Sequence, residues 1–273
     1  MSIFSRMVLP FLVVSGSAVA NEETTATLAP FTTKAPAGST LKVALTVTPP
    51  EGWHTYYLDP GEMGLPVSLE WKDLPDGITA GSLAFPLPHR VSTGDLATQG
   101  YEDPTHFVAE LKLSEEVATG PVTLAATASW LACDNDACVP GSQDLTLDFE
   151  VIPAGETAPK VSSEMSQILL NVPIDAGSKW QSELTSNESD WQLILTPPAD
   201  WTWPPANSLD LFSETPDFLA PGHQPIIENK DKKLVITAPK SEYADEKASP
   251  ALVLFGPQPP LRFTPEISAK SGE

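Results

Sequence analysis

Apolar and polar residues alternate with a period of two along most of this chain. Leu41, Val43, Leu45 and Val47 interleave with Lys42, Ala44, Thr46 and Thr48 before Pro49-Pro50 stops the run. That is the pattern of a half-buried strand. Gly52-Trp53-His54-Thr55-Tyr56-Tyr57-Leu58 is aromatic and strand-like, and ends in the turn-rich Asp59-Pro60-Gly61-Glu62-Met63-Gly64. Val67, Leu69 and Trp71 alternate again, as do Phe107, Ala109, Leu111 and Leu113. Between these, Ala84 to Gly100 shows no clear period and contains Pro86, Pro88, His89 and Gly94. It reads as a long connection, the kind of segment that often carries binding function. The clearest signal is Val122, Leu124, Ala126, Ala128 and Trp130 answered by Leu145, Leu147, Phe149 and Val151. Between the two runs lies Cys133-Asp134-Asn135-Asp136-Ala137-Cys138, so a β-hairpin is predicted with a cysteine on each shoulder of its loop.

Past Ile152 the texture changes. Pro153-Ala154-Gly155 to Pro159 reads as a linker. Val161, Met165, Ile168, Leu169 and Val172 then fall at helical spacing, with Ser162 and Ser163 available as caps, and predict one short amphipathic helix. Strands return at Trp191 to Leu195, Leu209 to Leu211, Leu234 to Thr237 and Ala251 to Phe255, separated by prolines. The 29 prolines and 16 glycines suit short strands and many turns. The fold class expected is all-β: a β-sandwich over residues 21–152, a linker at 153–160, and a second, smaller β-rich domain with one short helix at 161–273.

The N-terminus adds a compartment. Arg6, the apolar run Met7 to Val14 and the small-residue ending Ala18-Val19-Ala20 form the pattern of a secretory signal peptide over residues 1–20. The apolar run is shorter than the ~20 residues a membrane span takes. Export would leave Cys133 and Cys138 where a disulfide persists. A formal charge of −21 argues against nucleic acid or an anionic membrane surface as partner, and favours partners with a basic docking face. A monomer meeting its partners transiently is expected.

The cysteines are the candidate chemistry, and their spacing leaves two readings open: a structural staple or a redox couple. Exchange needs an accessible sulfur and a resolving cysteine nearby. Asp134 and Asp136 disfavour a further anion in the loop, so both thiols should be poor spontaneous nucleophiles. Four scattered histidines (His54, His89, His106, His223) give no metal-ligand spacing, and there is no G-x-S-x-G elbow; no cofactor or metal is expected. Trp53, Tyr56, Tyr57 and Trp130 read as core packing.

Taken together, Gly52-Trp53-His54-Thr55-Tyr56-Tyr57, Asp59-Pro60-Gly61, Gly64, Pro86-Leu87-Pro88-His89-Arg90, Gly100-Tyr101-Glu102-Asp103, Trp130-Leu131-Ala132-Cys133 and Cys138-Val139-Pro140 resemble the N-terminal periplasmic domain of the DsbD disulfide-interchange family, in its longer ScsB-type form. The resemblance covers about residues 25–152. It implies an immunoglobulin-like sandwich in the periplasm whose cysteine pair shuttles between disulfide and dithiol. It implies a membrane thiol reductase as electron donor and a periplasmic disulfide isomerase or thioredoxin-like protein as acceptor. By position, Cys138 would form the mixed disulfide and Cys133 would resolve it. A mobile cap would correspond to Arg90 to Gly100, and His54, Tyr56, Arg90 and Tyr101 would be cap or partner contacts. No membrane domain or C-terminal thioredoxin-like domain is read in these residues, so either a separate membrane protein supplies the electrons or the domain has been reused for another purpose. The competing expectations are a non-catalytic binding module with a structural disulfide and a soft-metal (copper) binding protein.

Overall fold

The computed structural model describes residues 23–268, so the signal-peptide reading of residues 1–20 lies outside the described residues. The first half runs through β1 (Thr25–Pro30), β2 (Lys34–Pro36), β3 (Thr40–Thr48), β4 (Thr55–Gly61), β5 (Ser68–Lys72) and β6 (Ile78–Ala80). It continues with β7 (His89–Thr93), β8 (Leu96–Tyr101), β9 (Thr105–Leu113), β10 (Gly120–Cys133) and β11 (Cys138–Ile152). The sheets β1-β3-β9-β6 and β2-β11-β10-β5 enclose a core of Leu41, Val43, Leu111, Leu124, Leu147 and Phe149. Each comes from the apolar phase of its strand, because alternate side chains share one face. The fold is all-β and immunoglobulin-like, as expected. A third sheet, β4-β8-β7, adjoins the Cys133 end of β10 through a bridge between His54 and Cys133.

The segment from Ala84 to Gly100 differs from its reading as a loop. Its second half is a hairpin: Arg90 pairs with Gln99, Val91 with Thr98 and Thr93 with Leu96, across the two-residue turn Gly94-Asp95. Gly94 sits at φ 60°, the left-handed region that a glycine-first hairpin turn requires. The period is blurred because the buried positions carry polar residues, Thr93, Thr98 and Gln99, while Leu96 is exposed.

The helix α1 (Ser163–Leu169) forms where its spacing predicts. The Ser162 hydroxyl accepts from the Met165 N–H, capping the first turn. Ile168 and Val172 pack on Phe31, Ala44 and Val108 of the first half.

The second half adds β12 (Ile174–Asp175), β13 (Gln181–Ser186), β14 (Asp190–Thr196), β15 (Asp210–Ser213) and β16 (Ile226–Lys230). It ends with β17 (Lys233–Pro239), β18 (Leu252–Phe255), β19 (Leu261–Phe263) and β20 (Ile267–Ser268). Two sheets, β12-β19-β18-β15 and β16-β17-β14-β13-β20, enclose Leu184, Leu193, Leu211, Ile236, Leu252 and Leu254. The pair β15–β18 is apolar on both faces. Leu211, Leu252 and Leu254 face that core, while Phe212, Val253 and Phe255 join Tyr57, Phe107 and Trp130 of the first half in one cluster. A strand buried on both faces reads as a continuous apolar run, which is why Leu252-Val253-Leu254-Phe255 shows no alternation.

Asp59 lies at this seam, 2% exposed. It accepts from the N–H of Gly61 at 3.2 Å, while its Oδ2 has no hydrogen-bond partner among the described residues. Burial, aided by repulsion from Asp217, pushes its carboxyl up from 3.8 to about 6. A value raised on folding means this group favours the folded state in acid, and the contribution is lost as pH rises through about 6. Asp59→Asn should therefore stabilise the protein above pH 7 by up to about 3 kcal/mol, at 1.36 kcal/mol per pK unit. The gain, read from urea midpoints, should vanish below about pH 4, where the carboxyl is neutral in both states.

Candidate functional site

Cys133 closes β10, Cys138 opens β11, and the two are direct partners in the ladder. They are joined as a disulfide with Cα atoms 4.1 Å apart. The N–H of His54 donates to the Cys133 carbonyl at 2.9 Å, and the Cys133 N–H donates back to the His54 carbonyl at 3.0 Å. Both backbone groups of Cys133 therefore point at β4, away from β11. That makes the cysteines a non-hydrogen-bonded pair, the narrow kind, where facing Cα atoms approach to about 4.5 Å. By the same alternation the N–H and carbonyl of Cys138 point outward. The outer neighbour of β11, β2, pairs only at Glu150–Ile152, so among the described residues the β11 edge at Cys138 is open.

The two sulfurs are unequal. Cys133 is fully buried, whereas Cys138 and the residues Asn135 to Pro140 are exposed. Grooves of about 620 and 510 Å³ flank the exposed arm. The first is floored by Trp53 and Trp130 beside Val139 and Pro140, and the second carries Leu65 and Pro66. Trp130 is thus core on one side and groove wall on the other.

The loop between the cysteines is held by Asp134, whose Oδ1 accepts from the N–H groups of Asp136 at 2.8 Å and Ala137 at 2.7 Å. These bonds hold its carboxyl below the usual carboxylate range, so the loop keeps its negative charge.

Behind Cys133, three polar side chains close on one another. His54 Nε2 lies 3.0 Å from Thr93 Oγ1 and 3.2 Å from the Tyr56 hydroxyl, and those two oxygens are 3.2 Å apart. Burial lowers the pKa of His54 against the opposing pull of Glu102 and Asp134, which leaves the imidazole neutral at pH 7. Burial raises that of Tyr56, against its bond to Thr93. His54 and Tyr56 are brought together beside the cysteines; Arg90 and Tyr101 are not. Tyr101 is buried and its hydroxyl donates to the Pro86 carbonyl at 2.9 Å, so its side chain packs in the core. Arg90 faces the second half, where it pairs with Asp210. Thr93 was not among the residues singled out from sequence. The Gly94-Asp95 turn beside it is the signal that marks it as a hairpin tip.

The profile of the family described as "Thiol:disulfide interchange protein DsbD, N-terminal" matches residues 23–150. Residues 23–150 are an N-terminal domain of the DsbD family. Among solved structures, the chain is similar to the N-terminal periplasmic domain of ScsB from Proteus mirabilis, with a TM-score of 0.58 and 22% identity. That match covers 88% of this chain and 91% of the other. The major pilin subunit BcpA of Bacillus cereus matches at a TM-score of 0.30 and 9% identity, over 90% of this chain and 69% of the other. No curated protein matches. The DsbD-type domain is a thiol–disulfide exchange module, and the disulfide at its hairpin end is the group able to do that chemistry.

Gly100 sets how closely this module closes around the site. A Cβ there would fall 1.9 Å from the Thr55 carbonyl oxygen, so only glycine lets β8 lie against β4 behind His54 and Tyr56. Gly100→Ala should cost about 1–3 kcal/mol or more in urea unfolding, and should break the Tyr56–Thr93 hydrogen bond, read as a shifted tyrosine hydroxyl signal.

Proposed function

We propose that this protein is an exported electron carrier that takes two electrons from a membrane thiol reductase and passes them to periplasmic disulfide acceptors through Cys133 and Cys138. The observation that carries this reading is the inequality of the two sulfurs: one exposed on an open strand edge, the other fully buried.

In the accepting step a donor thiolate attacks Sγ of Cys138. The Cys133–Cys138 bond breaks, and Cys133 leaves with the electron pair and takes up a proton. The second thiol of the donor then attacks its own sulfur in the mixed disulfide. The donor leaves oxidised, and the protein is left as the dithiol. In the delivering step Cys138, deprotonated, attacks an acceptor disulfide. Cys133 then attacks Sγ of Cys138, which restores the intramolecular disulfide and releases the reduced acceptor.

The open edge at Cys138 offers an unpaired N–H and carbonyl to an incoming backbone, and Val139 and Leu65 offer apolar contact beside it. Both aid docking without any new charge. Localisation in the periplasm accords with the family and with the signal-like leader.

The test is partner trapping. Cys133→Ser should accumulate mixed disulfides in the periplasm, because no resolving thiol remains, while Cys138→Ser should accumulate none. Equal trapping by both variants, or by neither, would overturn the assignment of roles. The reduction potential of the pair separates carrier from staple: exchange couples lie at about −120 to −270 mV, structural disulfides below about −300 mV.

A further inference from the structure

The hairpin β7–β8 is held from both sides. Along β7, Val91 and Thr93 are buried, whereas Arg90 and Ser92 point to the opposite face. The Thr93 face meets His54 and Tyr56 behind Cys133. The Arg90 face meets β15: its guanidinium grips the Asp210 carboxylate as a fork, with Nη1 on Oδ2 and Nη2 on Oδ1, the latter at 2.9 Å. The same guanidinium lies over the Phe212 ring, 4.3 Å from its centroid. Nearer the turn, Ala97 abuts the second half, where a Cβ on Gly222 would fall 2.7 Å from Ala97 Cβ. Phe212 in turn makes an edge contact with Tyr57 of β4 at 6.1 Å.

This arrangement is more specific than general packing. A forked Arg–carboxylate contact fixes direction as well as distance, and a ring beneath the guanidinium excludes water from one of its faces. Asp210 is itself oriented, because its Oδ1 accepts from the Leu211 N–H at 2.8 Å. The tip residue Thr93 is three positions along the same strand from Arg90, so its hydroxyl stays on His54 and Tyr56 only while β7 stays in place.

We propose that the second half of the protein acts on the disulfide through Arg90. The Asp210–Arg90–Phe212 contact is a brace that holds the β7–β8 hairpin against His54 and Tyr56, and so keeps Cys133 closed while Cys138 stays open. Arg90 is a positioning residue: it touches neither sulfur, and acts through the hairpin. The proposal rests on the exchange reading for its purpose, because a closed Cys133 forces every incoming thiolate onto Cys138 and leaves Cys133 as the sole resolving thiol.

The experiment uses the reduced full-length protein and iodoacetamide, with the alkylation rate of each cysteine followed by peptide mass spectrometry. In the natural sequence Cys138 should react and Cys133 should lag far behind. Arg90→Gln and Asp210→Asn should each speed alkylation of Cys133 about tenfold and leave Cys138 unchanged, the scale of one lost forked and stacked contact. The double variant should go no further than either single, because both remove the same brace. Arg90→Lys keeps the charge but loses the fork, and should fall between. It also carries the comparison if Arg90→Gln does not fold. Equal protection of Cys133 in all variants would overturn the proposal, as would acceleration of both cysteines together, which marks general loosening. The reduction potential reads the exchange function separately. A pair too reducing for exchange, with Cys133 protection still dependent on Arg90, would sink the carrier reading and leave the brace standing.

Discussion

The reciprocal backbone hydrogen bonds between His54 and Cys133 are the constraint on which the site depends. They turn both backbone groups of Cys133 toward β4, and the antiparallel ladder then turns those of Cys138 outward. Burial follows from that choice. Cys133 is enclosed by β4 and its neighbours, and Cys138 is left on an edge that no strand covers among the described residues. Had the register slipped by one residue, the cysteines would occupy opposite faces and could not bond. The disulfide is thus a consequence of the hairpin register, and the asymmetry of its two sulfurs is a consequence of the bridge.

The second organising feature lies away from the sulfurs. β15 and β18 bury both faces, one in their own sandwich and the other against Tyr57, Phe107 and Trp130. A sheet used twice in this way ties the two halves into one apolar cluster and brings Asp210 and Phe212 up to the hairpin. The seam also holds Asp59, whose raised pKa is the cost of enclosing a carboxyl beside Asp217. The same packing that steadies the hairpin therefore makes the seam tighter in acid than at neutral pH.

Much of the first half was legible because its strands are buried on one face only. Leu41 to Val47, Phe107 to Leu113 and the two arms of the cysteine hairpin alternate cleanly, and each forms the strand its pattern predicts. The helix at Ser163–Leu169 was legible from its spacing and its Ser162 cap. Alternation fails where protein covers both faces, as in β18, and where the buried positions are polar, as at Thr93, Thr98 and Gln99 of β7 and β8. The roles of Arg90 and Tyr101 were illegible for a different reason. Both stand in motifs that the family resemblance places near the cysteines, but a position in sequence does not say which way a side chain points. Tyr101 points into the core, and Arg90 points at a strand 120 residues further on.

The charge of the loop bears on the direction in which the couple is easiest to use. Asp134 is kept ionised by two backbone N–H bonds, and neither Lys nor Arg lies between the cysteines. A thiolate at Cys138 would sit beside that fixed negative charge, well inside the ~10 Å over which charges at 0.1 M salt still feel one another. As a nucleophile Cys138 is therefore disfavoured until something offsets the charge. In the disulfide Cys138 is uncharged, and the charge that develops on cleavage falls on Cys133, which is buried and next to Asp134 and must take up a proton as it leaves. A partner with a basic face would remove the penalty only while docked, drawn in by the acidic loop. The protein would then hold its electrons quietly in free solution and release them in a complex, which is the behaviour a carrier needs in an oxidising compartment.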